Sequence, residues 1–205
     1  MIRLVVSTSN KGKLKELTAL TKDFVGRVIS KEMLGLADFD IEETGTTLEE
    51  NAKRKVEGLR QKIQEENLLP GHDPVWILAD DTGLFVDALD GAPGVYSARY
   101  AGAHDDRANR EKLLRELEGV PEENRTAHFS TVLAVDQGTG VRFFHGRVDG
   151  RILFREEGEG GFGYDSLFFS EELEKSFAQA TAEEKNRVSH RGRAYQNWIR
   201  SLGND

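Results

Sequence analysis

Between residues 3 and 79, apolar runs of strand length alternate with stretches whose leucines recur at helical intervals, and this alternation narrows the available folds more than any other feature. Arg3-Leu4-Val5-Val6-Ser7 predicts a short, mostly buried strand, and Leu14, Leu17 and Leu20 predict a helix starting near Lys11. Thr47, with Glu50 three residues on, has capping-box form. It predicts a second helix, running to about Glu66, with Leu48, Ala52, Val56, Leu59 and Ile63 along one face. After the loop Pro70-Gly71-His72-Asp73-Pro74 comes the apolar strand Val75-Trp76-Ile77-Leu78-Ala79, predicted to end at Asp80-Asp81. Elements in this order imply a sheet covered by helices, an α/β fold.

The second half adds a different pattern. Asp105 is placed to cap a helix bearing Leu113, Leu114 and Leu117. Ala127, Phe129, Thr131, Leu133 and Val135 alternate as in a half-buried strand, and Gln137-Gly138-Thr139-Gly140 should turn it into a hairpin with residues 141–145. Residues 157–163 carry glycines at 158, 160, 161 and 163 and are predicted as a loop; a last helix, from about Ser189, carries Ala194, Trp198 and Leu202. A hairpin after alternating elements predicts a mixed sheet.

The chain has 205 residues, between the sizes of one domain and two; the expectation is one domain over residues 1–205 with two lobes. No stretch approaches the roughly 20 apolar residues of a membrane span, and Met1-Ile2-Arg3 does not open a signal-peptide core, so a soluble, cytoplasmic protein with no membrane partner is expected. The absence of cysteine excludes disulfides and thiolate ligands and leaves oxygen or histidine for any metal, favouring a hard ion such as Mg²⁺. With 28 basic and 36 acidic residues the formal charge is -8, and no dense Lys/Arg block interrupts the mixture. That argues against general nucleic-acid binding, while a small polyanion could still meet a few converging cations.

Five segments are candidates for chemistry. Ser7-Thr8-Ser9-Asn10-Lys11-Gly12-Lys13 lies between a strand and a helix start, where outward N–H groups and lysines attract phosphate; an ordinary polar turn accounts for it equally well. It is not a nucleotide-binding loop ending in Gly-Lys-Ser/Thr, because Leu14 follows Lys13. Asp80-Asp81-Thr82-Gly83 places two carboxylates where their repulsion and desolvation would be offset by a divalent cation, the alternative being a polar turn. Glu42-Glu43-Thr44-Gly45 is a third acidic site before the capped helix, and Lys55 stands on that helix; each reads alone as solvated surface. Gly160-Gly161-Phe162-Gly163-Tyr164-Asp165 offers aromatic faces and close backbone approach to a base, or a tight turn over the core. Lys185 and Ser189-His190-Arg191 could bind an oxygen-rich group, although a lone histidine is more often structural.

Taken together and in order, these segments resemble the inosine/xanthosine triphosphate pyrophosphatase family, also called Ham1-like. The matching motifs are residues 7–13, Glu43-Thr44-Gly45 with Glu50-Asn51-Ala52, residues 79–84, Gly91 to Tyr100, Gly160 to Asp165, and Ser189-His190-Arg191-Gly192, spanning nearly the whole chain. The resemblance implies that Thr8, Ser9, Asn10, Lys11, Gly12 and Lys13 hold a triphosphate, that Glu43 and Asp81 lie at a Mg²⁺ site with Asp80 beside them, and that Asp81 accepts a proton from water. It further implies that Thr82 touches substrate, that Lys55 and Lys13 neutralise phosphate charge, and that Phe162, Gly163, Tyr164, Asp165, Lys185, His190 and Arg191 form a base pocket with Phe162 or Tyr164 stacking on the purine. The family fold it implies is an elongated mixed β-sheet separating two α/β lobes with the active site in the cleft, in a homodimer. Ser166 stands where the family commonly has proline, an exchange expected to loosen that loop, and Thr82 stands where bacterial members often have serine.

The implied reaction is hydrolysis of dITP, ITP or XTP to the monophosphate and pyrophosphate, removing non-canonical purines from the nucleotide pool. Donors from Lys185, Arg191 or His190 would favour the 6-oxo bases, since a donor facing the adenine amino group stays unpaired. Two rivals are a Maf-like pyrophosphatase acting on pyrimidine or modified triphosphates, and a non-enzymatic triphosphate-binding module. The purine-pocket motif argues against the first and three carboxylates beside phosphate against the second.

Overall fold

The computed structural model describes residues 1–8, 14, 17–18, 21–102 and 104–203. Among them eight strands form one mixed sheet: β1 (Arg3–Val6), β2 (Arg27–Ser30), β3 (Val75–Val86), β4 (Pro93–Gly94), β5 (Thr126–Asp136), β6 (Val141–Ile152), β7 (Phe168–Ser170) and β8 (Lys175–Ser176). Strand order is β2-β1-β3-β5-β6-β7-β8, with β4 paired to β3. The α/β class with a mixed sheet expected from the sequence is what the chain adopts. Four α-helices have described boundaries: α1 (Leu48–Glu65), α2 (Asp106–Glu116), α3 (Ala182–Val188) and α4 (His190–Leu202). Leu14, Leu17, Thr18 and Thr21 are also helical, while the expected start of that helix at Lys11 lies outside the described residues.

By its contacts the chain divides into two compact units. The first comprises Met1–Asp81, Val132–Phe144 and Gln196–Asp205. In it β1 runs parallel to both β2 and β3, with Val6 opposite Ser30 and Leu78, so the three strands present their carboxyl ends to one edge. Leu4, Val5, Val6 and Ile77 are fully buried there, as continuous apolar strands of a parallel sheet should be. Helix α1 buries the predicted face, Leu48, Ala52, Val56, Leu59 and Ile63. Thr47 accepts from Glu50 N at 3.1 Å, but the Glu50 carboxylate turns back to Thr46 N at 2.6 Å rather than to the cap residue, so the box is displaced by one position. The Pro70–Pro74 loop is held by Arg3, which donates to the Pro70 and Asp73 carbonyls.

The second unit comprises Thr82–Thr131 and His145–Tyr195. Its core joins Leu84 and Val86 of β3 to Leu113, Leu117, Phe129 and Phe168. As expected, Asp105 caps α2, accepting from Ala108 N at 3.0 Å.

Three expectations are corrected. Strand β3 does not stop at Asp80-Asp81 but continues to Val86, so both aspartates lie within it. Continuation is possible because Leu84 and Phe85 pair with Gly94 and Pro93 of β4, and because Gly83 has no Cβ: one built there would stand 2.6 Å from the Gly94 carbonyl oxygen. The strand after the hairpin reaches Ile152, seven residues beyond His145, and β5 is buried on both faces from Thr131 onward, where the alternation suggested one wet face. Helix α3 was not foreseen, although Thr181 and Glu184 form a full capping box, with Thr181 Oγ1 accepting from Glu184 N at 3.2 Å and Glu184 accepting from Thr181 N at 2.8 Å. No helix among the described residues is long and apolar enough to cross a membrane.

The Thr181 N–H, followed by the Lys175 ammonium, holds the Glu184 carboxyl down at about 2, against an ordinary 4.5. A folded pKa below the unfolded one means that its contribution to stability is complete above about 4.5 and is lost as pH falls toward about 2. Glu184→Gln should therefore unfold at lower urea than the parent at neutral pH, and the gap between the two midpoints should close on acidification through that window. A gap independent of pH would show that the charge of Glu184 does not matter.

Candidate functional site

In the first unit, the edge formed by the carboxyl ends of β1, β2 and the parallel part of β3 is where open α/β sheets present loops to ligands. Strand β3 overruns its neighbours there and carries Asp80 and Asp81 beyond the end of β1, which continues into Ser7 and Thr8. A cavity of about 220 Å³ at this edge is lined by Ser7, Thr8, Lys31, Glu43, Lys55 and Asp80, among others.

Lys55, on the first half of α1, organises the group. Its Nζ lies 2.6 Å from Glu43 Oε1 and 2.8 Å from Asp81 Oδ1, and donates to the Asp80 carbonyl at 3.2 Å. Burial works against its charge, but Asp81 and Glu43 outweigh it and raise its proton affinity, so Lys55 remains an ammonium. Asp81 is only 7 % exposed. Burial pushes its carboxyl above the ordinary aspartate value despite the opposing pull of Lys55, and Glu43 adds to the rise. The result is a carboxylate of increased basicity, paired to Lys55, which lines the cavity.

The other oxygen of Asp81 is fixed by a residue to which the sequence motif gave no role. Asn51 is fully buried on α1, donates Nδ2 to Asp81 Oδ2 at 3.2 Å and accepts from Gly45 N at 2.8 Å. It thus ties the acidic loop carrying Glu43 to the strand carrying Asp81. The available signal was a buried-face asparagine one turn before Lys55, since residues i and i+4 share a helix side.

Among the described residues, two carboxylates and a backbone carbonyl, from the Glu43 loop and from β3, converge on the Lys55 ammonium. That donor set fits a hard divalent cation. Among the described residues no group of three or more His, Cys, Asp or Glu side chains is placed to hold a metal.

The second unit gathers the aromatic and cationic candidates. Phe162 is 54 % exposed, with the Lys185 ammonium 4.6 Å and the Arg191 guanidinium 5.7 Å from its ring centroid. Lys185, on α3, also forms an ion pair with buried Asp165, which accepts from Phe162 N at 2.8 Å. Tyr164 belongs to the core instead, its hydroxyl donating to Ser97 O at 2.8 Å, and burial raises its phenol above the ordinary value. Of the two aromatics considered for stacking, Phe162 alone is exposed. His190 is buried and stacked on Phe129, with centroids 4.6 Å apart and planes 20° from parallel. Thr82 is hydrogen-bonded through its hydroxyl to Thr131 at 2.7 Å.

Helix α2 holds this loop through residues the sequence did not suggest. Asp106 accepts from Gly163 N and Arg110 donates to Gly163 O, each at 2.9 Å, gripping both ends of a residue whose φ of +59° suits glycine. Arg110 also pairs with Glu156 at 3.0 Å, and Ser166 donates its hydroxyl to the same carboxylate at 2.8 Å. Ser166 therefore fastens the loop it was expected to loosen.

The structure thus brings together Glu43, Lys55, Asp80 and Asp81 with Thr8 at the cavity wall in one unit, and Phe162, Gly163, Asp165, Lys185 and Arg191 in the other. Ser9, Asn10, Lys11, Gly12 and Lys13 lie outside the described residues. Asn51→Ala should lower stability by about 1–3 kcal/mol, because a buried N–H and a carboxylate oxygen lose their partner; Asn51→Asp should cost more by setting a second carboxylate against Asp81. Urea denaturation measures both, and unchanged midpoints would show that Asn51 is not the link described.

Comparison with known proteins places the chain. The Ham1 family model matches residues 4–200. A dITP/XTP pyrophosphatase of Caldanaerobacter subterraneus is 45 % identical over 195 residues, covering 95 % of this chain and 92 % of that protein. One from Listeria monocytogenes is 45 % identical over 208 residues, covering 98 % and 95 %. The solved structure of the Staphylococcus aureus Ham1 protein superposes with a TM-score of 0.84 at 37 % identity, covering 98 % of each chain. A HAM1 protein from Coxiella burnetii gives a TM-score of 0.85 at 33 % identity, covering 100 % of each. A match of this extent in sequence and in fold makes the chain a member of the Ham1 family.

Proposed function

We propose that this chain is a nucleoside-triphosphate pyrophosphatase, a hydrolase of nucleotide metabolism that converts dITP, ITP and XTP to the monophosphate and pyrophosphate. The observation that carries the reading is the convergence of Glu43, Asp81 and the Asp80 carbonyl on one cationic centre at a cavity rim. Relatives named for dITP and XTP hydrolysis support the substrate class, and membership in the Ham1 family argues against a Maf-like activity. We take the enzyme to be cytoplasmic and homodimeric, with its two compact units as lobes of one functional domain.

The barrier to phosphoanhydride hydrolysis is largely charge, because water must approach phosphorus through anionic oxygens. In the proposed step, water attacks the α-phosphorus, the bond to the oxygen bridging to the β-phosphate breaks, and pyrophosphate leaves with that oxygen. Asp81 takes the proton of the attacking water, a role suited to a carboxylate whose basicity burial has raised. Asn51 holds one oxygen of Asp81, so the carboxylate meets the water in one orientation. Lys55 supplies permanent positive charge beside the reacting phosphate. Glu43 and Asp81 would hold Mg²⁺, which when bound withdraws charge from the phosphoryl oxygens. Thr8, Ser9, Asn10, Lys11, Gly12 and Lys13 are assigned the polyphosphate.

The exposed Phe162 ring is assigned to stack on the purine. Lys185 and Arg191, beside that ring, are the donors for the 6-oxo group. Asp165 fixes Lys185 and so sets where its remaining N–H groups point. His190, stacked on Phe129, stands at the start of the helix that carries Arg191. Thr82 is assigned a substrate contact through its hydroxyl.

Asp81→Asn should reduce kcat by roughly a hundredfold or more, the usual worth of a general base; turnover near the parent value would remove Asp81 from that role. Chelation with EDTA should abolish pyrophosphate release and added Mg²⁺ restore it. Across a nucleotide panel, kcat/KM for ITP and XTP should exceed that for ATP by roughly tenfold or more, the cost of one unpaired donor. Orthophosphate in place of pyrophosphate among the products would show cleavage at the wrong phosphorus.

A further inference from the structure

We infer that Lys31 is a further polyphosphate-binding residue, one that contacts the pyrophosphate portion of the substrate; the inference rests on the functional reading above and extends it to a residue outside the recognised motifs. Lys31 directly follows β2, and its N–H donates to the Val6 carbonyl at 3.2 Å, so it emerges beside Ser7 at the carboxyl edge of the parallel strands. Its side chain lines the same cavity as Thr8, Glu43, Lys55 and Asp80.

Charge accounting within that cavity singles it out. The charge of Lys55 is already matched by Glu43 and Asp81. The ammonium of Lys31 meets a different partner: among the described residues it donates only to the Phe39 carbonyl, at 2.9 Å. A carbonyl does not neutralise a cation, so two N–H groups and a full charge remain for an anion. Asp40 and Asp80 also line the cavity, and a cation on this wall offsets their repulsion of an incoming phosphate.

Position assigns the part of the ligand. Strand β1 lies between β2 and β3, so the backbones carrying Lys31 and Asp80 are two strand spacings apart, roughly 9–10 Å. With the water and the α-phosphorus at Asp81, the departing pyrophosphate extends across β1 toward β2. Lys31 would hold it during departure, and again as free product.

The test uses binding rather than turnover. Calorimetric titration of inorganic pyrophosphate, with Mg²⁺ present, should give a dissociation constant about tenfold weaker in Lys31→Met than in the parent, the worth of one charge-assisted contact. The constant for inosine monophosphate should stay within about twofold, and Lys31→Arg should restore most of the pyrophosphate affinity. Pyrophosphate affinity unchanged in Lys31→Met would overturn the inference. So would equal weakening of both ligands, which would mean that Lys31 acts by holding the Phe39 segment. Failure of the broader reading looks different: the parent enzyme itself would neither bind pyrophosphate nor release it from any nucleotide.

Discussion

A single ammonium makes the first unit's acidic site possible. Two carboxylates brought within reach of one another, one of them nearly buried, repel and lose hydration. Lys55, projecting from α1, stands between them and compensates both. Removing it would leave an unpaired buried charge, a far larger penalty than any surface ion pair returns. The placement of α1 follows from this as much as from its apolar face: the same helix that buries Val56 and Leu59 delivers Asn51 and Lys55 to Asp81. Stability and chemistry thus depend on the same turns of helix.

The compensation also shapes reactivity. An aspartate paired with lysine at the surface would be a weak base, its charge stabilised by ammonium and water together. Burial around Asp81 raises its proton affinity, while Lys55 pulls it the other way. An amide on one oxygen and an ammonium on the other fix the side chain's orientation, so little rearrangement remains when a reaction begins.

A comparable economy governs the second unit. A glycine-rich segment such as 158–163 has high conformational freedom, which would blur any surface it presents. Asp106 and Arg110, one turn apart on α2, grip Gly163 at both its N–H and its carbonyl, and Asp165 grips Phe162 N and Lys185. An exposed aromatic is thereby held on a fixed backbone beside two cations.

Much of this was legible in the chain itself. Local interactions decided β1, the first half of β3, the Thr47 and Asp105 caps and the apolar face of α1, because caps and periodicity act over a few residues that are adjacent in sequence; β2 was not foreseen. The order of six motifs carried the family, and with it Glu43, Lys55 and Asp81 as candidates. What the local pattern could not carry were partnerships at long separation. Two adjacent aspartates read as a strand end; β4 pairing carries the strand past them, and Asn51 and Lys55, 30 and 26 residues before Asp81, hold its buried carboxylate inside β3. Whether Phe162 or Tyr164 faces solvent depended on Ser97, 67 residues from Tyr164, offering its carbonyl. Ser166 became a fastening through Glu156, and Lys31 gained interest only once parallel pairing set it beside Ser7. Sequence by itself determined which residues carry charge, aromatic faces and helix signals; tertiary structure alone decided which of those charges are compensated, because desolvation and pairing depend on neighbours in space and not in order.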